Sequence, residues 1–323
     1  VCLAKNEGDW LNMKETLFTA KKLTEIFDYI YKNGDESDMS FLSSEIKKIT
    51  RMEVSCPDKT GIDNSVNENF PNAQIVTEEQ IEKLNAILPW STIVSYGEKF
   101  QGLPWDEKKR ASLHAIPDRH IAEIFDVIRD GRVLEIGCHE GVYTLGLLKA
   151  AAHVVALDGR MENVIKTLSR VWLANELDRV DVVCHDLETL NVPKLGTANE
   201  AGLDFELMHH NGVLYHLSDP LGHLDNMFAE NEIQSVFLDT HVATDEQCND
   251  VYVNGGKDYS VYNYKEPAIR NVSPFAGITP VAKWLRYDDL LEYLNGQGFE
   301  NVVSSEVRLE RNGSRCRILC KKN

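Results

Sequence analysis

The chain has 323 residues, 43% of them hydrophobic, and a formal net charge of −17. That length predicts two domains, or one domain with a large extension, and enough apolar side chains for a real core. The charge argues against broad affinity for nucleic acid, and no run of about 18 apolar residues exists to cross a membrane.

The first residues, VCLAKNEGDW, lack the cationic start and apolar stretch of a secretory signal. Seven cysteines are scattered without a Cys-x-x-Cys pair. That is reduced usage and predicts a cytoplasmic protein. Cys316 and Cys320 share one face of an expected strand, RCRILC, where packing accounts for them better than a metal does. KKR at 108–110 and the late cations Arg308, Arg311, Arg315, Arg317, Lys321 and Lys322 are read as solvated charge, with a local basic patch as the other option.

Residues 1–104 differ from the rest. WLNMKETLFTAKKLTEIFDYIYK carries Leu17, Leu23, Ile26, Phe27 and Ile30 at helical spacing. FLSSEIKKITRM and TEEQIEKLNAIL read as further helices, with DKTGIDNSVNENFPN as a linker. These spans predict a mainly helical accessory region, and residues 105–323 a second domain.

From about Ile116, strands alternate with helices. RHIAEIFDVI is a helix and GRVLEIG a strand; GVYTLGLLKAAA is a helix and HVVALD a strand. ENVIKTLSRVWLANEL then leads to the strand VDVVCHD, and FELMHH leads to the helix PLGHLDNMFAE and the strand IQSVFLDTH. After an insertion come the helix RYDDLLEYLNGQGF and two strands, NVVSSEVRLE and RCRILCKK, joined by the tight turn RNGS. Short apolar strands between helices predict a parallel sheet covered on both faces, and the late pair an antiparallel hairpin at one edge.

VLEIGCHEGVYT is the most informative segment. A strand runs into Gly137 and Gly141, and a helix follows at once. Such a turn lets a ligand approach the backbone beside a helix N-terminus. A dinucleotide fingerprint would have glycine where His139 and Val142 stand, and no Gly-Lys-Ser/Thr is present. Nicotinamide, flavin and P-loop chemistry are therefore disfavoured. Asp158 ends the second strand and can accept from ribose hydroxyls. Asp186 ends the third and can reach an adenine amino group. Glu135 ends the first and can face an ammonium group.

Together these residues resemble the class I S-adenosylmethionine-dependent methyltransferases. The resemblance covers about residues 110–323 and implies an α/β, Rossmann-like, seven-stranded sheet. It implies S-adenosyl-L-methionine as cofactor, S-adenosyl-L-homocysteine as product, and binding through Glu135, Gly137, Cys138, Gly141, Asp158, Gly159, Asp186, Leu187, His210, Asn211 and Gly212. His139 departs from it, standing where glycine is more usual. A narrower stretch, NGVLYHLSDPLGHL, resembles the tRNA wobble-uridine carboxymethyltransferases, which would imply carboxy-S-adenosyl-L-methionine instead. Of their approach segment only GLPWDEKKR, with Trp105, offers a trace.

In such a sheet the first and fourth strands flank the switch point where ligands bind. His210, Asn211 and Gly212 would stand at its lip, with Tyr215 and His216 over the transferred methyl and Asp239 and His241 nearby. Methyl transfer depends mostly on positioning and needs a base only where the acceptor loses a proton. Tyr215, His216 and His241 are the catalytic candidates, with His216 as a helix cap or backbone partner the plainer option. His209 and His210 must point to opposite faces of a strand, which counts against a metal site. Residues 243–283, rich in Tyr, Asn and Gly, predict a lid over the acceptor. Three functions stay open: methylation of a small-molecule acceptor, carboxymethylation of tRNA, and cofactor binding as a scaffold. Oligomeric state is not written in these motifs.

Overall fold

A computed structural model of the chain describes residues 120–189, 204–268 and 276–323, with the backbone of short strands at Phe18–Thr19, Val94–Tyr96 and Lys99–Gln101. The helical accessory reading of 1–104, the GLPWDEKKR segment and part of the expected lid otherwise lie outside the described residues. Phe18–Thr19 falls within the first expected helix but is extended, pairing antiparallel with Val182 and Asp181.

In chain order the elements are α1 (120–128), β1 (Arg132–Ile136), α2 (Val142–Leu148), β2 (His153–Asp158), α3 (Met161–Leu173) and β3 (Val180–Cys184). There follow β4 (Leu207–Asn211), α4 (Pro220–Glu230), β5 (Ser235–His241), β6 (Asp250–Asn254) and β7 (Lys257–Lys265). The last are β8 (Val281–Leu285), α5 (Tyr287–Gly296), β9 (Asn301–Glu310) and β10 (Gly313–Lys321). The chain divides into two compact units, the first containing Cys138–His185 and the second Asp126–Gly137 with Asp186–Asn323.

In the first unit β2 and β3 run parallel, in register from Val154 with Val180 to Asp158 with Cys184. Five consecutive residues of β2 are buried, as a strand covered on both faces requires. Helix α3 buries Val164, Leu168, Val171 and Leu173 at helical spacing and carries Glu162 in its first turn, where the helix dipole favours an acid. It ends before Asn175, which takes a left-handed φ of 57°.

In the second unit β4 lies between β1 and β5, parallel to both, with Glu135 beside His209 and Asn211 beside Asp239. Strand β10 is antiparallel to β5 on one side and to β9 on the other. Besides the short Phe18–Thr19, the first unit has two strands of this kind and the second five, the number expected of an α/β Rossmann-like class, with the late hairpin at the β9 edge. Pro220 opens α4, and the Asp219 side chain accepts from the Gly222 N–H at 3.3 Å.

The insertion after β5 contains a sheet of its own. Strands β6, β7 and β8 form an antiparallel three-stranded sheet, and β6 turns into β7 through Gly255 and Gly256, both at positive φ. Residues 269–275 of the expected lid lie outside the described residues.

Candidate functional site

In the first unit the turn Cys138-His139-Glu140-Gly141 is tied down at both ends. The Cys138 N–H donates to the Leu157 carbonyl at 3.0 Å, and the Gly141 N–H to the Cys138 carbonyl at 2.8 Å. His139 takes a φ of 51°, the left-handed region that glycine usually fills. Two hydrogen bonds hold it there: its N–H donates to Asp158 Oδ2 at 2.9 Å, and its carbonyl accepts from Thr167 Oγ1 at 3.1 Å. The departure from glycine thus keeps a glycine-like backbone and adds an imidazole, which burial drives down to a pKa of about 4. Gly141 allows close packing against α3, since a Cβ there would lie 3.0 Å from Thr167 Cα. Beneath the turn Glu140 is fully buried and bonds Lys166 Nζ at 2.9 Å, while Arg170 Nε donates to the Glu140 carbonyl at 2.6 Å.

Asp158 is the centre of this half. Oδ2 accepts from His139; Oδ1 accepts from the Arg160 N–H at 2.8 Å and from Asn163 Nδ2 at 3.1 Å. The Arg160 bond closes a turn over Gly159. Burial pushes the carboxyl up to about 6, against the pull of these donors. An ionised carboxylate offers about four acceptor positions, so three donors leave about one. That remainder, on Oδ2, fits one hydroxyl hydrogen bond.

In the second unit Gly137 has a φ of 77°, and a Cβ there would lie 2.0 Å from Val213 Cγ2. Glu135 is buried on β1, beside His209. Asp186 is exposed and its Oδ1 accepts the Glu188 N–H at 3.1 Å, while Leu187 is buried. His210 is not at the lip: it is fully buried, with Nε2 3.3 Å from His223 Nε2 of α4. Burial first, then His223 and His209, holds His210 well below 6.5. Strand alternation sends its side chain into the layer of α4. Asn211 is half-buried, and the Gly212 N–H donates to the Asp239 carbonyl at 2.9 Å.

Tyr215 and His216 close a short 3₁₀ turn, Leu214–His216. The Tyr215 ring lies 4.1 Å from His216 and meets His241 edge-on at 4.7 Å, with Arg315 over its face at 5.2 Å. Burial raises its hydroxyl pKa and Arg315 opposes that rise. Trp284 Nε1 donates to the Tyr215 carbonyl at 2.9 Å, and its ring stacks on His241 and on Tyr264, each at 4.7 Å. His241 Nδ1–H donates to the Ser314 carbonyl at 3.1 Å, which makes Nε2 the acceptor nitrogen of the neutral ring. Burial lowers the His241 pKa. His216 is no helix cap, since Asp219 caps α4; its Nδ1 bonds Glu266 Oε1 at 2.6 Å.

Asp239 is buried at the end of β5 and binds Arg308 Nη2 at 3.0 Å, Arg317 Nε at 3.3 Å and Arg315 Nε. Burial opposes its ionisation, yet Arg315 and Arg308 bring its pKa below the ordinary value. These three arginines therefore form neither a basic patch nor solvated charge. Among the described residues no group of three or more His, Cys, Asp or Glu could hold a metal ion. Sequence reasoning missed Glu266, Trp284 and the arginine cluster; only Trp284, a lone aromatic in the short strand VAKWL, gave a local signal.

No family model matches this chain, and no curated protein matches it. Solved structures do. The N-terminal domain of EvdMO1 with SAH bound aligns at 22% identity and a TM-score of 0.57, covering 76% of this chain and 94% of that one. The same domain in the presence of SAH and D-fucose gives 20% identity, the same TM-score and the same coverage. Whole EvdMO1 aligns at 19% identity and a TM-score of 0.50, with 47% of its length covered. The chain shares the α/β, Rossmann-like fold of that SAH-bound domain. Within that fold the glycine turn and Asp158 lie in the first unit, and Tyr215, His216 and His241 gather in the second.

Proposed function

We propose that this chain is an S-adenosylmethionine-dependent methyltransferase acting on a small-molecule acceptor. The observation that carries the proposal is Asp158: a buried carboxylate at the end of β2, holding the turn His139–Gly141 and keeping one acceptor position for a ribose hydroxyl. Glu135, Gly137 and Asp186 supply the remaining cofactor contacts in this reading. The bound sulfonium supplies an activated methyl carbon, and the chain supplies binding and orientation.

A sugar-like acceptor is favoured by two observations. The walls around Tyr215 are aromatic, with Trp284, Tyr262 and Tyr264 packed together, the last two at 5.5 and 4.7 Å from Trp284. EvdMO1's N-terminal domain was crystallised in the presence of D-fucose. Mass spectrometry of the ligand retained on the purified chain tests the cofactor. S-adenosylmethionine or its demethylated product supports the proposal, and a carboxylated form transfers the chain to the tRNA-modifying reading. Methyl transfer from labelled cofactor to a panel of sugars tests the acceptor. Tyr215→Ala should then lower turnover and leave cofactor affinity within about tenfold, because its contacts act at the transfer step.

A further inference from the structure

A second carboxylate stands behind the acceptor loop. Glu266 follows β7 directly, and its side chain is fully buried. Oε1 bonds His216 Nδ1 at 2.6 Å, and Oε2 is buried with no hydrogen-bond partner among the described residues. Gly277 closes over the pair: a Cβ there would lie 2.8 Å from the His216 carbonyl and 2.9 Å from Glu266 Oε1. His216 keeps 18% side-chain exposure, so the pair is covered on the Glu266 side and open on the histidine side.

An ionised carboxylate can only accept, so it fixes the neutral ring with its proton on Nδ1. The Nε2 lone pair is then the one presented outward. Tyr215 lies against the same imidazole.

We propose that Glu266 is the positioning residue that makes His216 the base for a hydroxyl acceptor, and hence that the reaction is O-methylation of an alcohol. This rests on the methyltransferase reading above. As the acceptor oxygen bonds to the donor's methyl carbon, the carbon–sulfur bond breaks and its electron pair stays on sulfur. The hydroxyl proton passes to His216 Nε2 and then to water. An amine acceptor that arrives neutral does not need this proton removed before transfer, and a carboxylate has none to lose. The dyad is therefore matched to alcohols.

The test uses nitrogen NMR of the histidine-labelled full chain, without cofactor, at a pH where the ring is neutral. His216 is expected with Nδ1 protonated and Nε2 bare. Glu266→Ala should shift it toward the Nε2–H form that an unconstrained imidazole prefers. Glu266→Gln, whose amide oxygen still accepts, should keep the Nδ1–H form while turnover falls roughly tenfold to 100-fold, with S-adenosylhomocysteine affinity unchanged. A His216 already carrying its proton on Nε2, or one whose tautomer ignores Glu266→Ala in a folded variant, overturns the proposal. Neither result touches cofactor binding, which calorimetry with S-adenosylhomocysteine reports separately.

Discussion

Replacing Asp158 isolates the cofactor assignment from the fold. Three protein donors already use its carboxylate, so a ribose would gain about one further charge-assisted hydrogen bond, worth about 1.5–3 kcal/mol. Asp158→Ala should therefore weaken S-adenosylhomocysteine binding by roughly 10-fold to 150-fold. Asn163→Ala removes a donor from the same carboxylate and should change affinity by less than about threefold. Acidity gives a second readout. Burial raises the Asp158 carboxyl from 3.8 to about 6. Binding that needs the ionised form should hold above pH 6 and fall about tenfold by pH 5. Stability runs the other way. A raised carboxyl contributes stability fully present below its unfolded value near 3.8, and that contribution is lost as pH rises through about 6. At neutral pH the ionised Asp158 weighs against the fold by about 3 kcal/mol. Calorimetry across pH 5–8, with melts of the same samples, follows both. Unchanged affinity in a folded Asp158→Ala chain would refute the reasoning and leave Asp158 as the keeper of the turn alone.

Removing the acid of the arginine cluster should be costly. Asp239→Ala leaves three guanidiniums around a buried gap and should lower stability by about 3 kcal/mol in urea titration, near the low end for a broken buried pair because the arginines keep partial water access. A change under about 1 kcal/mol would mean that solvent already screens the cluster. Gly137→Ala should destabilise by at least about 1 kcal/mol from its left-handed backbone alone, with the Val213 contact added. Gly137→Val would therefore disturb the fold as well as any ligand. Partial recovery in Gly137→Ala/Val213→Ala would identify the contact. His210 is held neutral in the fold, so its contribution is present above about 6.5 and lost as pH falls toward its depressed value. The melting temperature should drop from pH 7 to pH 5, and His210→Leu should flatten that drop.

The local features were legible from the residues. Strands β2 and β9 and helix α4 fall where the apolar pattern put them, because each element is short and bounded by its own breakers. The glycine turn was readable for the same reason. The β6–β7–β8 sheet was not: its Tyr and Asn content suggested a lid, although Val and Tyr alternate around an Asn-Gly-Gly turn in DVYVNGGKDYSVYNYK. Distant pairings were out of reach altogether. Nothing near Asp239 announces arginines that arrive about seventy residues later, and nothing near His216 announces Glu266. The burial of the His210 side chain against His223 was out of reach for the same reason, since α4 arrives only after the loop.

The position of β10 shapes how this chain must fold. Strand β5, seven consecutive buried residues, gets one of its two neighbours only when Arg315 reaches Asp239, 76 residues downstream. Until then SVFLDTH is an apolar edge with its amides open on one side and a buried acid unneutralised. Sequence-distant pairing of this kind is slow, and exposed edges of this kind seek other strands. A nascent or heat-opened chain should therefore be most prone to self-association through β5. Charge-reversing changes at Arg308 or Arg315 should show as poor refolding yield before they show as altered chemistry.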